Sequence, residues 1–111
     1  MSDHTSQLHV PPSFAALYTD ARHRLTLGRD ELWVRYEVCE DLAQQLVDHG
    51  QQIHFDHGIA EDEVLARCLA GLEGAESGLS GAEAVWVVTR LAELLGWPWV
   101  AAVGDAAASP G

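Results

Sequence analysis

The longest regular pattern in the chain covers residues 30–58, which read DELWVRYEVCEDLAQQLVDHGQQIHFDHG. Apolar or small residues recur in it at alternating spacings of four and three, at positions 32, 36, 39, 43, 46, 50 and 53. That spacing keeps returning to one side of an α-helix, so it predicts a long amphipathic helix. This apolar face is flanked by Trp33, Val38, Leu42 and Val47. We expect Asp30 to cap the helix and Gly58 to end it, with no break at Gly50.

Two further helices follow along the chain. Residues 60–72 place five apolar side chains on one face and three carboxylates in the first turn, where negative charge suits the helix dipole. The last helix has the clearest start, because Ser80 and Glu83 stand at capping-box spacing. We expect it to end at Gly96, with Pro98 just beyond.

The pattern predicts an all-α fold, a small bundle of three main helices with a short N-terminal helix that Ser13 would cap. Residues 1–12 are polar and end in two prolines, so we expect a flexible lead. Residues 13–98 form the single helical domain, and residues 99–111 are small and featureless, which predicts a disordered tail. Residues 20–29 are interpreted as a linker that holds three of the six arginines.

The composition excludes several classes of function. The 111 residues include six arginines and no lysine against 17 acidic residues, a net charge of −11. Without lysine there is no Walker A loop and no Schiff-base chemistry. The acidic balance argues against binding to nucleic acid or to an anionic membrane, because both need clustered positive charge. A basic protein partner, or mimicry of nucleic acid, is left open.

We expect a cytoplasmic protein that is not an enzyme and needs no cofactor. Residues 1–12 lack the pattern of a secretory signal, and no stretch approaches the roughly 20 apolar residues of a membrane span. Cys39 and Cys68 fall on the apolar faces of their helices, so they are predicted to be reduced, inert core thiols. No nucleophile–base set and no cofactor loop is visible.

The histidines between His49 and His57 suggest a metal site. His54 and His57 lie one helical turn apart, and Asp62 follows at the start of the next helix, so the three side chains are candidate ligands. The alternative is that both histidines cap the helix end, where the dipole favours them. A metal-binding or thiol-redox protein is therefore one candidate function.

Four tryptophans in a chain of this length suggest a surface for a partner. Trp33 and Trp86 stand beside the apolar stripes, and Trp97 and Trp99 follow the last helix. Such side chains either cover a small core or remain exposed as anchors for another protein. We take all four as candidate partner-binding residues, in an aromatic patch with an acidic rim.

Three runs of sequence resemble a known group: PPSF at 11–14, RYEVCEDLA at 35–43 and RLAELLGW at 90–97. In these runs, and in their order over residues 8–98, the chain is similar to small uncharacterised proteobacterial proteins often labelled "ATPase with chaperone activity". The chain has no phosphate loop and no lysine, so the resemblance implies an accessory role beside a larger ATPase assembly rather than ATP hydrolysis.

Together these observations predict a small acidic adaptor or accessory subunit that binds a protein partner. A nucleic-acid-mimicking inhibitor is the first alternative, and the metal or thiol protein is the second. A homodimer also remains open, because an amphipathic unit with spare tryptophans can bury them against its own copy.

Overall fold

The computed structural model describes residues 10–74 and 77–99. Its helices are α1 (Pro12–Ala15), continued by a 3₁₀ turn (Ala16–Tyr18), then α2 (Arg29–His57), α3 (Glu61–Leu72) and α4 (Gly81–Leu95). Within these residues there is no β-strand, and one isolated bridge pairs Thr19 with Leu25. The predicted all-α bundle is therefore confirmed, with three main helices and a short N-terminal one.

Helix α2 is the longest of the described helices and packs against both α3 and α4. It runs unbroken through the buried Gly50, where an added methyl group would lie 3.5 Å from Leu95 Cδ1, an ordinary packing distance. It ends where Gly58 turns left-handed at a φ of 64°. The predicted cap is wrong, because Gly28 occupies the N-cap position and its carbonyl accepts the Leu32 N–H at 2.9 Å. Asp30 instead lies in the first turn, beside the positive end of the helix dipole.

The ends of α3 and α4 differ in their capping. Helix α4 has the predicted capping box, since Ser80 Oγ accepts the Glu83 N–H and the Glu83 carboxylate accepts the Ser80 N–H, each at 3.0 Å. Gly96 then ends α4 at a φ of 74°. Helix α3 starts after Ala60, which offers no side-chain acceptor, so its first turn relies on three acidic residues to complement the dipole.

The core lies between α2 and α4 and has two clusters. The first cluster consists of Phe14, Leu32, Cys39, Ala43, Trp86 and Val87. The second cluster consists of Leu65, Val88, Leu91 and Ala92. Helix α3 supplies Leu65 to the second cluster, and α1 supplies Phe14 to the first. The apolar stripe predicted for α2 faces this core, as its buried residues Leu32, Cys39, Ala43 and Gly50 show.

The N-terminal segment, which consists of α1 and the 3₁₀ turn, is held on the bundle by Phe14. Its ring is fully buried, with centroid distances of 5.1 Å to Trp86 and 5.7 Å to Tyr36, both edge-on. Ser13 does not cap α1, which begins at Pro12. Its hydroxyl instead accepts a 3.0 Å hydrogen bond from Trp86 Nε1. The predicted cap is wrong because this hydroxyl satisfies a partly buried indole N–H rather than the helix end.

The folded unit is slightly larger than the predicted domain over residues 13–98. Val10 packs against the first cluster and α1 begins at Pro12, while Trp99 packs against the second cluster. Apolar side chains beyond both predicted boundaries thus still cover the core. The rest of the predicted lead and tail lies outside the described residues. None of the described helices is long and apolar enough to cross a membrane.

Candidate functional site

One carboxylate, Glu83, is buried at the junction of three elements. Arg35 donates to it from Nε at 2.9 Å and from Nη2 at 2.6 Å, in a two-point contact across 48 residues of chain. The Tyr18 hydroxyl donates to the same carboxylate, and so does the Ser80 backbone N–H. Glu83 therefore joins the N-terminal segment, α2 and α4.

The charge on Glu83 is stabilised rather than strained. Burial alone would raise the pKa of Glu83, but the hydrogen bonds from Arg35 and Tyr18 outweigh it and lower the pKa from 4.5 to about 2. The same contact raises the pKa of Arg35, and burial together with the contact to Glu83 raises the pKa of Tyr18. All three groups thus keep their charge states at neutral pH, which suits a structural role and not proton transfer. We call Tyr18, Arg35 and Glu83 together the lock.

A groove of about 630 Å³ opens beside this lock; we call it the α2 groove. Its lining combines apolar side chains, carboxylates and parts of the lock, including Tyr18, Leu27, Asp30, Glu31, Val34 and Arg35. A concave surface with apolar lining and negative charge fits an apolar side chain attached to a positively charged neighbour.

The groove continues onto the solvent side of α2. Exposed residues there recur at spacings of four and three, and we call this set the outer face: Val34, Val38, Asp41, Gln45, Asp48, Gln52 and Phe55. Val34 is 54% exposed and Val38 is 44% exposed, so two apolar side chains one helical turn apart face solvent on this side of α2. Val38 does not flank the buried face as a core residue, contrary to the sequence-based expectation.

Exposed carboxylates also lie along this side of α2. Asp30, Glu37, Asp41 and Asp48 are all exposed, and within the described part of the chain none of them forms an ion pair with an arginine. The arginines that do form ion pairs contact other carboxylates, as Arg90 does with Glu40 at 2.9 Å. The outer face therefore carries uncompensated negative charge around two exposed valines.

The predicted aromatic patch does not form, because the four tryptophans lie in different places. Trp86 is only 8% exposed and belongs to the first core cluster, so it is not an accessible anchor. Trp33 is half-buried near the start of α2, against Tyr36 at a centroid distance of 5.5 Å. Trp97 and Trp99 pack on the second cluster, where Trp97 lies 5.2 Å from the ring of His54.

The distance between these positions rules out a single surface. Residues 33 and 54 are separated by about 30 Å along α2, at 1.5 Å of rise per residue. Trp33 and the Trp97–Trp99 pair therefore lie towards opposite ends of the bundle. The expectation of one patch is wrong. A tryptophan that stands beside an apolar stripe in the sequence covers the core, but the sequence does not say at which end of the bundle it does so.

The three predicted metal ligands do not converge on one point: His54 and Asp62 line the same cavity, but His57 is not part of its lining. His54 donates its Nδ1–H to the carbonyl of Ile59 at 2.7 Å, so that ring nitrogen holds the turn after α2. His57 and Asp62 are exposed, on either side of the left-handed turn at Gly58. Among residues 10–74 and 77–99, no group of three or more His, Cys, Asp or Glu side chains is arranged to hold a metal ion.

The two cysteines are separate and protected. Cys39 is buried in the first cluster, and burial raises its pKa to about 12. Cys68 is half-buried against the second cluster, and burial raises its pKa as well. Because the thiolate is the reactive form, both are poor nucleophiles at neutral pH. Both thiols are free, as predicted from the sequence.

The sequence does not predict the lock of Tyr18, Arg35 and Glu83, because the spacing of Glu83 from Ser80 indicates only a capping role. A signal was present in α2, because Arg35 is adjacent to Tyr36 in the apolar stripe. A charged side chain at such a border is typical of one that reaches a buried partner. The spacing does not say which of the many carboxylates that partner is.

No family model matches this chain, and no curated protein or solved structure matches it. The fold and the site together define a class: a small all-α bundle that presents one acidic and partly apolar helix face.

Proposed function

We propose that this chain is a small acidic protein-binding domain, an adaptor or accessory subunit, that binds its partner through the outer face of α2 and the adjoining α2 groove. The observation that supports this proposal most directly is that Val34 and Val38 are exposed among carboxylates for which the described residues provide no ion pair. The opposite face of the same helix is packed against the core. Apolar side chains within a charged rim are typical of protein interfaces, where burial supplies affinity and charge steers association.

The lock at Glu83 supports this proposal because it fixes the surface in advance. It joins α2 to α4 near the start of the outer face, and the ion pair of Arg90 with Glu40 joins the same two helices farther along. A surface that is already rigid loses little conformational freedom on binding. The proposal therefore needs no rearrangement of the bundle.

Two parts of the proposal concern context. We place the protein in the cytoplasm, a location supported by its two free cysteines, since reducing compartments keep thiols unpaired. We also take an ATPase assembly as one candidate partner, on the resemblance described above. In that case the chain would act as an accessory subunit, since it has no lysine for a phosphate loop.

Affinity capture from the organism that encodes the chain tests the proposal. The wild type, the double variant Val34→Ser/Val38→Ser and the control Leu25→Ser would be compared by mass spectrometry. Leu25 is a matched control, because it is 42% exposed but lies in the segment before α2. We expect one partner that the wild type and the control retain and the double variant loses. Equal recovery with all three proteins would contradict the proposal.

A nucleic-acid-mimicking inhibitor is the second candidate, and one observation favours it. Asp30, Glu37, Asp41 and Asp48 follow one side of α2 over about 27 Å. Their rise along the axis is about 6–10 Å per step, however, whereas phosphates of one DNA strand recur about every 3.4 Å. A partner that is lost when the aspartates are neutralised and retained when the valines are replaced would favour mimicry.

A further inference from the structure

We infer that the partner segment is a basic amphipathic α-helix that lies lengthwise along the outer face of α2. This inference rests on the proposed function and specifies the chemistry of its partner. The outer face follows the spacings of four and three that let two helices stay in contact along a seam, and three of its seven residues are apolar: Val34, Val38 and Phe55. Valines stand at one end of the seam and Phe55 at the other, with Asp41 and Asp48 between them.

The dimensions of this face fit a helix of moderate length. From Val34 to Phe55 the seam extends about 32 Å, which a partner helix of about 20 residues would span. Apolar side chains of the partner would contact Val34 and Val38, and the next one along would enter the α2 groove. Phe55, which is 74% exposed, would cover the far end of the partner.

Charge argues against the segments outside the described residues as the occupant of the outer face. The four unpaired carboxylates call for lysine or arginine in the partner. All six arginines of the chain lie at positions 22, 24, 29, 35, 67 and 90, and there is no lysine. Residues 1–9, 75–76 and 100–111 contain no basic side chain except histidine, so they cannot neutralise the aspartates.

A second copy of the chain is a poor occupant. If two outer faces paired in antiparallel fashion about their middle, Asp41 of one copy would face Asp48 of the other. A parallel pair would place each aspartate against its own equivalent. Both arrangements juxtapose like charges at the centre of the seam, which opposes association. The acidic centre thus favours a basic helix and disfavours a homodimer through this face.

A synthetic peptide tests the inference directly. The probe is a labelled 20-residue helix-forming peptide. Its contact face has leucines at spacings of four and three towards both ends and lysines in the centre, where they would face Asp41 and Asp48. Two comparison peptides have the same length: one keeps the composition but scrambles the leucine spacing, and one replaces every lysine by glutamate. Fluorescence anisotropy against the whole chain, at low and high salt, measures binding. We expect the patterned basic peptide to bind at least about tenfold more tightly than either comparison peptide.

Matched protein variants locate the contact. Val34→Ser/Val38→Ser should weaken binding about tenfold, and Asp41→Asn/Asp48→Asn about three- to tenfold at low salt. The control Asp62→Asn/Glu73→Gln removes the same charge from exposed positions of α3 and its end, so it should change binding less than about twofold. Equal binding of the scrambled peptide, or an equal loss with the control, would overturn the inference.

Two further outcomes separate this inference from the proposed function. If the peptide fails to bind while capture of a partner still depends on Val34 and Val38, the inference falls and the proposed function stands. If sedimentation shows a dimer of the wild type that Asp41→Asn/Asp48→Asn strengthens, the face binds a second copy and the inference is wrong. Loss of both peptide binding and valine-dependent capture removes the proposed function as well.

Discussion

Replacing Glu83 by glutamine should destabilise the fold in a way that depends on pH. The carboxylate accepts two hydrogen bonds from Arg35 and one each from Tyr18 and Ser80. Glutamine has nearly the same shape, but its amide N–H groups would point donors at the guanidinium and remove the charge that Arg35 neutralises. The variant Glu83→Gln therefore tests the electrostatic role of the lock rather than its packing.

The magnitude follows from the pKa of Glu83. A fall from 4.5 in the unfolded chain to about 2 in the folded one corresponds to about 3–4 kcal/mol at neutral pH, at about 1.4 kcal/mol per pKa unit. The Arg35 side chain is 33% exposed, so solvent screens part of its interaction with Glu83. We therefore expect Glu83→Gln to lower the free energy of unfolding by about 2–3 kcal/mol. This contribution is fully present above pH 4.5 and is lost as the pH falls towards 2.

Urea unfolding followed by tryptophan fluorescence at several pH values provides the measurement. The difference in unfolding free energy between wild type and Glu83→Gln should be about 2–3 kcal/mol at pH 7 and about half of that near pH 3. The control Glu93→Gln removes an ion pair with Arg90 whose carboxylate is 63% exposed, so it should cost less than about 0.5 kcal/mol. A difference that stays constant from pH 7 to pH 3 would refute the reasoning.

Three further predictions concern the core. Gly50→Ala should raise the unfolding free energy by about 0.5–1 kcal/mol in urea titrations, because the helix gains propensity and the methyl group fits; a loss would mean that the neighbouring side chains cannot accept it. Phe14→Ala should lower it by about 3–5 kcal/mol and shift the tryptophan emission to the red, as its removal uncovers Trp86; a change below 1 kcal/mol would show that the N-terminal segment is not anchored. With a pKa of about 12, Cys39 should resist iodoacetamide at pH 8 until urea unfolds the chain; rapid labelling of the native protein, located by mass spectrometry, would contradict its burial.

The three main helices could be predicted because their determinants are local. The apolar stripe of α2, the capping box of Ser80 with Glu83 and the left-handed glycines at 58 and 96 all act within a few residues. Periodicity of this kind reports which side of a helix is buried. The caps at Asp30 and Ser13 were harder to predict, because several adjacent residues can cap and a tertiary contact with Trp86 decides the role of Ser13.

The candidate site could not be predicted in the same way. The lock joins residues that are 48 and 65 positions apart, and no spacing rule pairs them. The tryptophans were ambiguous for a related reason, since Trp86 is covered by Phe14 from the other end of the chain. Val34 and Val38 lie one turn apart on the helix, and their exposure depends on how far α4 and the N-terminal segment extend over α2.

A photo-crosslinking amino acid in place of Val38 tests the central claim most directly. Illumination of cells that express this variant should join the chain to a second protein, visible as one shifted band. The same group in place of Leu25, which is exposed to a similar degree but lies before α2, should give no such band. A crosslink from position 25 equal to that from position 38, or none from position 38, would contradict binding through the outer face of α2.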